Sequence, residues 1–245
     1  MNKHRFTLNT IFAAVGLAAV IQATPALATI ISDGTFNNTD WTATVLNHSG
    51  PPVSFSAVQV SSGGNPGEYR QLQQSYGGPG SLITGHIFHG AQYDPATQGA
   101  ISSVSYSFDL MLLNGGDSGT VGYGSLLFQG GSYYLGGNSV LTTIEPVRNL
   151  WVHHDLLPLF AGDFLDVSGS GAHPDFSATG SPILFGYYGS NGTGISSPTS
   201  TLSGIDNWSA NVTQVPLIPE PTSVLLIVSG LGVLAARRAL YAKSA

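Results

Sequence analysis

Apolar and polar residues alternate most clearly over 104–112, where Val104, Tyr106, Phe108, Leu110 and Leu112 share one face and Ser105, Ser107 and Asp109 the other. A period of two predicts a half-buried antiparallel strand. Shorter runs of the same character predict strands at 53–60, 69–76, 82–88, 121–128, 133–135, 149–154, 183–188 and 205–215. Between them lie Gly63-Gly64-Asn65-Pro66-Gly67, Gly77-Gly78-Pro79-Gly80, Asn114-Gly115-Gly116-Asp117, Gly130-Gly131 and Gly136-Gly137-Asn138, all turn formers. Residues 156–164 read as one short helical turn. Many short strands at this spacing predict an all-β chain, an antiparallel two-sheet sandwich of the jelly-roll type. No fixed-period repeat points to a solenoid or propeller.

The two ends depart from this pattern. Lys3, His4 and Arg5 precede an apolar run at 11–21, and Pro25 leads into Ala26-Leu27-Ala28, a small-x-small site. That order predicts a secretory signal peptide over 1–28, cut before Thr29 by signal peptidase. At the other end, Pro219-Glu220-Pro221-Thr222-Ser223 is followed by an apolar run at 224–236 and then Arg237-Arg238, with Lys243 beyond. No charge falls between Glu220 and Arg237, so 221–236 would span roughly 24 Å as a helix. Local thinning and snorkelling of the basic residues let such a helix cross a bilayer. Arg237 and Arg238 act as the stop and place this end in the cytoplasm.

The order of carboxylate between prolines, apolar segment and basic stop resembles the PEP-CTERM sorting signal. The resemblance implies processing near Pro219, Glu220 and Pro221 by an exosortase in a Gram-negative bacterium. It also implies transient anchoring in the inner membrane, then residence at the cell surface or in an exopolysaccharide matrix or biofilm. The expected organisation is signal peptide 1–28, β-sandwich 29–215, linker and motif 216–223, transmembrane helix 224–236 and basic tail 237–245.

Charge narrows the partners of the body. Arg70 and Arg148 are its only Lys or Arg residues against twelve acids, a net charge of about −10. Nucleic acid and anionic membrane surfaces are thereby excluded as partners through a basic patch. With no cysteine, the exported body has no disulfide to brace it.

Ser32-Asp33-Gly34-Thr35-Phe36 with Trp41, and Gly204-Ile205-Asp206-Asn207-Trp208 on to Val212, resemble the opening and closing strands of lectin-like and carbohydrate-binding jelly rolls. The resemblance implies that first and last strands pair. It also implies that these ends can hold a structural Ca²⁺ at Asp33 and Asp206, whose oxygens suit a hard cation. The alternative is that Asp33 caps a turn and Asp206 accepts hydrogen bonds from backbone.

Candidate chemistry is sparse. Gly116-Asp117-Ser118-Gly119 matches the nucleophile tetrapeptide of chymotrypsin-like proteases, yet it is followed by Thr120, and a Gly-rich segment after the best strand reads as a turn. His86 and His89, His153-His154-Asp155 and His173-Pro174-Asp175 hold zinc-type ligands, but neighbours on a strand face opposite ways. Glycosidase chemistry needs two flanking carboxyl groups, and the body's two glutamates, Glu68 and Glu145, lie on separate segments. Sugar rings stack on aromatic faces, and Trp41, Tyr123, Trp151 and Trp208 are available. Tyr133-Tyr134 and Tyr187-Tyr188 should each send one ring outward, which makes Tyr133 and Tyr187 the expected binding pair. The leading expectation is a non-enzymatic exported protein with no catalytic residue. A carbohydrate-binding module and a polysaccharide or ester hydrolase on the same sandwich are the alternatives.

Overall fold

The computed structural model describes residues 27–51, 53–114, 119–137, 144–216 and 230–231. The Pro219-Glu220-Pro221 motif, Arg237 and Arg238, nearly all of the expected signal peptide and the 116–118 segment lie outside the described residues. Among the described residues no helix is long and apolar enough to cross a membrane. Residues 26–215 form one compact unit, which carries the described fold.

Two antiparallel six-stranded sheets make up this unit. The first runs β3 (Val53–Gly64), β4 (Gly67–Tyr76), β12 (Thr199–Gln214), β6 (Ile101–Asn114), β9 (Val152–Leu159). Strand β1 (Ala28–Asp33) also pairs with β12, setting Asp33 opposite Trp208. The long β12 therefore meets β4 with its first half, β1 with its second, and β6 along its other side. The first and last strands thus pair as expected. The second sheet runs β10 (Phe164–Asp166), β8 (Ser132–Gly136), β7 (Gly119–Gln129), β11 (Ile183–Thr193), β5 (Gly80–Phe88), β2 (Trp41–Ser49).

The alternation of β6 places Val104, Tyr106, Phe108 and Leu110 in the space between the sheets, where Ile205, Trp208, Ala210 and Val212 of β12 join them. From the facing sheet come Trp41, Tyr123, Leu127, Phe185 and Tyr187. Trp208 is fully buried, its ring centroid 5.2 Å from that of Trp41 in an edge-on contact. An aromatic side chain of this size removes some 150–250 Å² from water and anchors the core.

The short helical turn expected within 156–164 is confined to its C-terminal part. Strand β9 continues to Leu159 along β6, and only Ala161–Asp163 turns, as a 3₁₀ helix. The apolar spacing at 156–160 fits either structure, and pairing with an unfilled edge of β6 decides it for strand.

Candidate functional site

The face of the first sheet turned away from the core carries a row of hydrogen-bonded polar groups. Asp109 on β6 stands opposite Asp206 on β12 and opposite His153 on β9, so three neighbouring strands bring these side chains into one row. All three alternate with core residues, which is why they face outward. The register slips between Asp206 and Ser209, where Asn207 adopts a left-handed backbone (φ 49°), a conformation that asparagine tolerates better than most residues. This bulge turns the Asn207 amide back over the row.

Asn207 Nδ2 donates to Asp109 Oδ2 at 2.7 Å and to the carbonyl of Asn65. Asn65, at the tip between β3 and β4, donates its own Nδ2 to Asp109 Oδ2 at 3.0 Å and its backbone N–H to Asp206 Oδ2. Asp206 Oδ1 accepts the Asn207 N–H at 2.7 Å. Asp109 Oδ1 lies 2.6 Å from His153 Nδ1, and His153 Nε2 lies 3.3 Å from Asp155 Oδ1. Burial pushes the Asp109 carboxyl up, but hydrogen bonds from Asn207, His153 and Asn65 outweigh it and hold it below the usual carboxylate range. Burial raises Asp206, and the Asp109 charge adds to this against its two N–H partners. The hydrogen bond to Asp109 raises His153 above the usual imidazole range.

Beside this row sits an aromatic platform. Trp151, immediately before β9, donates Nε1–H to the Gly63 carbonyl at 2.9 Å and meets Tyr69 edge-on at 5.4 Å. It lies against Gly204: a β-carbon there would come within 2.7 Å of the Trp151 ring and 3.0 Å of Tyr69. Glycine at 204 thus lets an indole lie close on the sheet. Trp151 is half-buried, while His153 and Asp155, further along the same side of β9, are exposed. Asp155 also lines a groove of about 500 Å³ on this face, with Ser105, Ser107, Asn211, Ile30 and Leu157.

The expected binding pair is not brought together here. Tyr187 is fully buried between the sheets, stacked on His86 at 4.5 Å, because its face of β11 is the core face. Its neighbour Tyr188 lies on the opposite face and is also buried, with Ile87, Leu126 and Leu135, so neither ring of that pair is open as expected. Tyr133 does turn away from the core while Tyr134 turns in, and it packs half-buried on Phe128 at 4.7 Å. The two tyrosines therefore belong to opposite faces of the second sheet.

Asp33 closes a turn rather than reaching Asp206. Its carboxylate accepts from Thr35, from the Phe36 N–H and from Trp41 Nε1 at 2.6 Å. Asp33 and Asp206 share no hydrogen-bond partner, and each carboxylate is filled by N–H or O–H donors, so the pair does not fit a shared Ca²⁺. Among the described residues no three His, Asp or Glu side chains are arranged to hold a metal ion. His153 and His154 face opposite sides as their adjacency requires, His154 packing inward on Phe108. His86 is buried and His89 exposed. Sequence reasoning missed Asn65, Asn207 and Asp109 as site residues. The one local signal was asparagine followed by tryptophan at 207–208, a polar residue able to turn left-handed inside an apolar strand.

Fold and site together define an antiparallel β-sandwich with an aromatic and carboxylate-lined outer face. Among solved structures it is similar to a family 11 carbohydrate-binding module from Clostridium thermocellum in complex with a β-1,3-1,4-mixed-linked tetrasaccharide, with TM-score 0.43 and 11% identity over 79% of this chain and 98% of that one. The C-terminal family 22 module of Clostridium thermocellum Xyn10B aligns at TM-score 0.41 and 14% identity, covering 74% and 92%. The CBM22-1 xylan-binding domain of Paenibacillus barcinonensis Xyn10C aligns at 0.36 and 12%, covering 79% and 99%. No family model and no curated protein matches the chain.

Proposed function

We propose that this chain is an exported, non-catalytic β-sandwich that binds neutral polysaccharide on the outer face of its first sheet and is sorted by its C-terminal PEP-CTERM-like tail. The observation that carries the binding reading is Trp151, held on Gly204 by its bond to Gly63 and flanked by the Asp109, His153 and Asp155 row. An indole fixed beside the exposed His153 imidazole and Asp155 carboxylate offers what a sugar needs: an apolar face for ring C–H groups and polar atoms for hydroxyls. The adjoining groove falls within the size range of small-ligand clefts. A body charge of about −10 favours a neutral glycan over an acidic one.

The test is titration of the full chain, in detergent, against a panel of neutral and acidic polysaccharides. Binding to a neutral member, weakened about tenfold or more by Trp151→Ala (roughly the loss of 1.4 kcal/mol), is the expected result. Silence across the panel, or undiminished binding by the Trp151→Ala chain, overturns the site. The sorting reading follows from the motif and is read by mass spectrometry of the exported protein: a terminus upstream of the apolar run supports processing, and one still at Ala245 refutes it. Turnover of any panel member would overturn the non-catalytic reading.

A further inference from the structure

His153 stands between two carboxylates on the open side of β9, its Nδ1 2.6 Å from Asp109 Oδ1 and its Nε2 3.3 Å from Asp155 Oδ1. The two partners differ in kind. Asp109 is 3% exposed, and its other oxygen, Oδ2, accepts from the side-chain amides of Asn65 at 3.0 Å and Asn207 at 2.7 Å. Those donors favour its charged form and fix its direction. The Asp155 side chain is 79% exposed and stands in water.

That difference fixes the tautomer of the ring. An ionised carboxylate only accepts hydrogen bonds, so Nδ1 keeps its hydrogen toward Asp109 in both charge states of His153. Protonation therefore acts at Nε2. In the charged ring Nε2–H points to Asp155, and the donor and acceptor on the open side satisfy each other. In the neutral ring Nε2 turns a lone pair on a carboxylate oxygen, the attraction is lost, and both atoms are left as acceptors facing solvent. The groups that act on His153 are Asp109 from β6, with Asp206 of β12 opposite it, and Asp155 and His154 from β9 itself. The β3–β4 tip brings the uncharged Asn65. The hydrogen bond to Asp109 is the largest of these influences and raises His153 above the usual imidazole range, so the change of state comes above about pH 6.5.

We propose that His153 and Asp155, beside Trp151, form a two-acceptor clamp for a pair of neighbouring ring hydroxyls, and that the clamp is open only when His153 is neutral. The inference rests on the glycan reading above and adds to it the group that is recognised. Each hydroxyl of a sugar has one hydrogen to give, and a ring lying on the Trp151 indole brings two of them to atoms that can only accept. With His153 charged, the same hydroxyls must first break the ion pair. Binding therefore releases a proton from the protein, since a neutral glycan has none to titrate.

The experiment is calorimetric titration of the full chain, in detergent, with galactomannan, starch and hydroxyethyl cellulose at about pH 5.5 and about pH 8.5, on either side of the imidazole range. Affinity for the polysaccharide that binds should fall about two- to fivefold at the lower pH, the range that an exposed ion pair can oppose. His153→Gln has no proton to exchange and should bind equally at both values. Asp155→Ala removes the competitor and one acceptor, so it should weaken binding at the higher pH and flatten the profile. Nitrogen NMR of histidine-labelled chain, with His153 identified by its loss in His153→Gln, should show Nδ1 protonated and Nε2 bare at the higher pH. A polysaccharide bound as tightly or more tightly at the lower pH, or a neutral His153 with its hydrogen on Nε2, overturns the clamp and leaves the glycan reading standing. Silence from all three polysaccharides at both pH values overturns the glycan reading and the clamp with it.

Discussion

Gly204→Ala is the sharpest test of the outer-face geometry. Position 204 sits in the middle of β12, paired with Met111 on one side and Gln71 on the other, so its β-carbon has one direction to take. That carbon would come within 2.7 Å of the Trp151 ring and 3.0 and 3.1 Å of two Tyr69 ring carbons. Trp151 cannot move aside freely, because it is held by Nε1–H to Gly63 at 2.9 Å. Moving it forfeits that bond, about 1 kcal/mol, and keeping it means overpacking, about 1–3 kcal/mol. Either way the substitution should cost about 1–3 kcal/mol, a fall in Tm of about 2–12 °C for a domain of this size. In a Trp151→Ala background only the Tyr69 contacts remain, so the same change should cost less than half as much. The double-mutant cycle, read by thermal melting with glycan binding in parallel, isolates the coupling. An unchanged Tm in the single variant, or costs that simply add, refutes the claim that Trp151 rests on this glycine.

Two further outcomes follow from the same residues. His153 has a folded pKa above its unfolded value, so its contribution is complete below the unfolded pKa near 6.5 and lost as pH rises through the folded pKa. With the side chain 57% exposed, the effect is held to about 0.5–1 kcal/mol, and His153→Gln should flatten the slope of stability between pH 6 and 9 in urea titrations. Asp33→Ala removes the acceptor of Trp41 Nε1 and of the turn at Thr35 and Phe36. It should cost about 1–3 kcal/mol, with EDTA leaving the parent melting curve in place; a fall in Tm on chelation would reinstate calcium.

What was legible in the sequence was periodicity and its ends. The two-residue alternation of 104–112 became β6, and the Asp33 and Trp208 segments met as the pairing of β1 with β12. Strand β9 was misplaced because Leu156, Leu157 and Leu159 satisfy a helical and an extended spacing alike, and only the open edge of β6 chose between them. Tyr187 was misassigned because period two says that adjacent residues part, without saying which of the two faces is the core. The site was least legible for a plainer reason. Asn65, Asp109, His153 and Asp206 come from a hairpin tip and three strands, and nothing local to any of them announces the others.

The Asp109 and Asp206 pair has the outward form of an acid and base, since their environments drive the two carboxyls apart, one lowered and one raised. In hydrolases that separation assigns the roles of proton donor and acceptor. The geometry here puts it to another use. Asp206 is 0% and Asp109 3% exposed, and their oxygens are occupied by Asn65, Asn207 and His153. A bond to be cleaved would have to lie between two carboxyl groups with room for both, and the Asn65 tip occupies that place. Their hydrogen bonds instead make a tie that fastens the β3–β4 tip and the β12 bulge to the sheet, next to the Gly63 carbonyl that holds Trp151. The carboxylates shape the platform on which a sugar would rest, and the exposed edge of His153 and Asp155 is where its hydroxyls would be met.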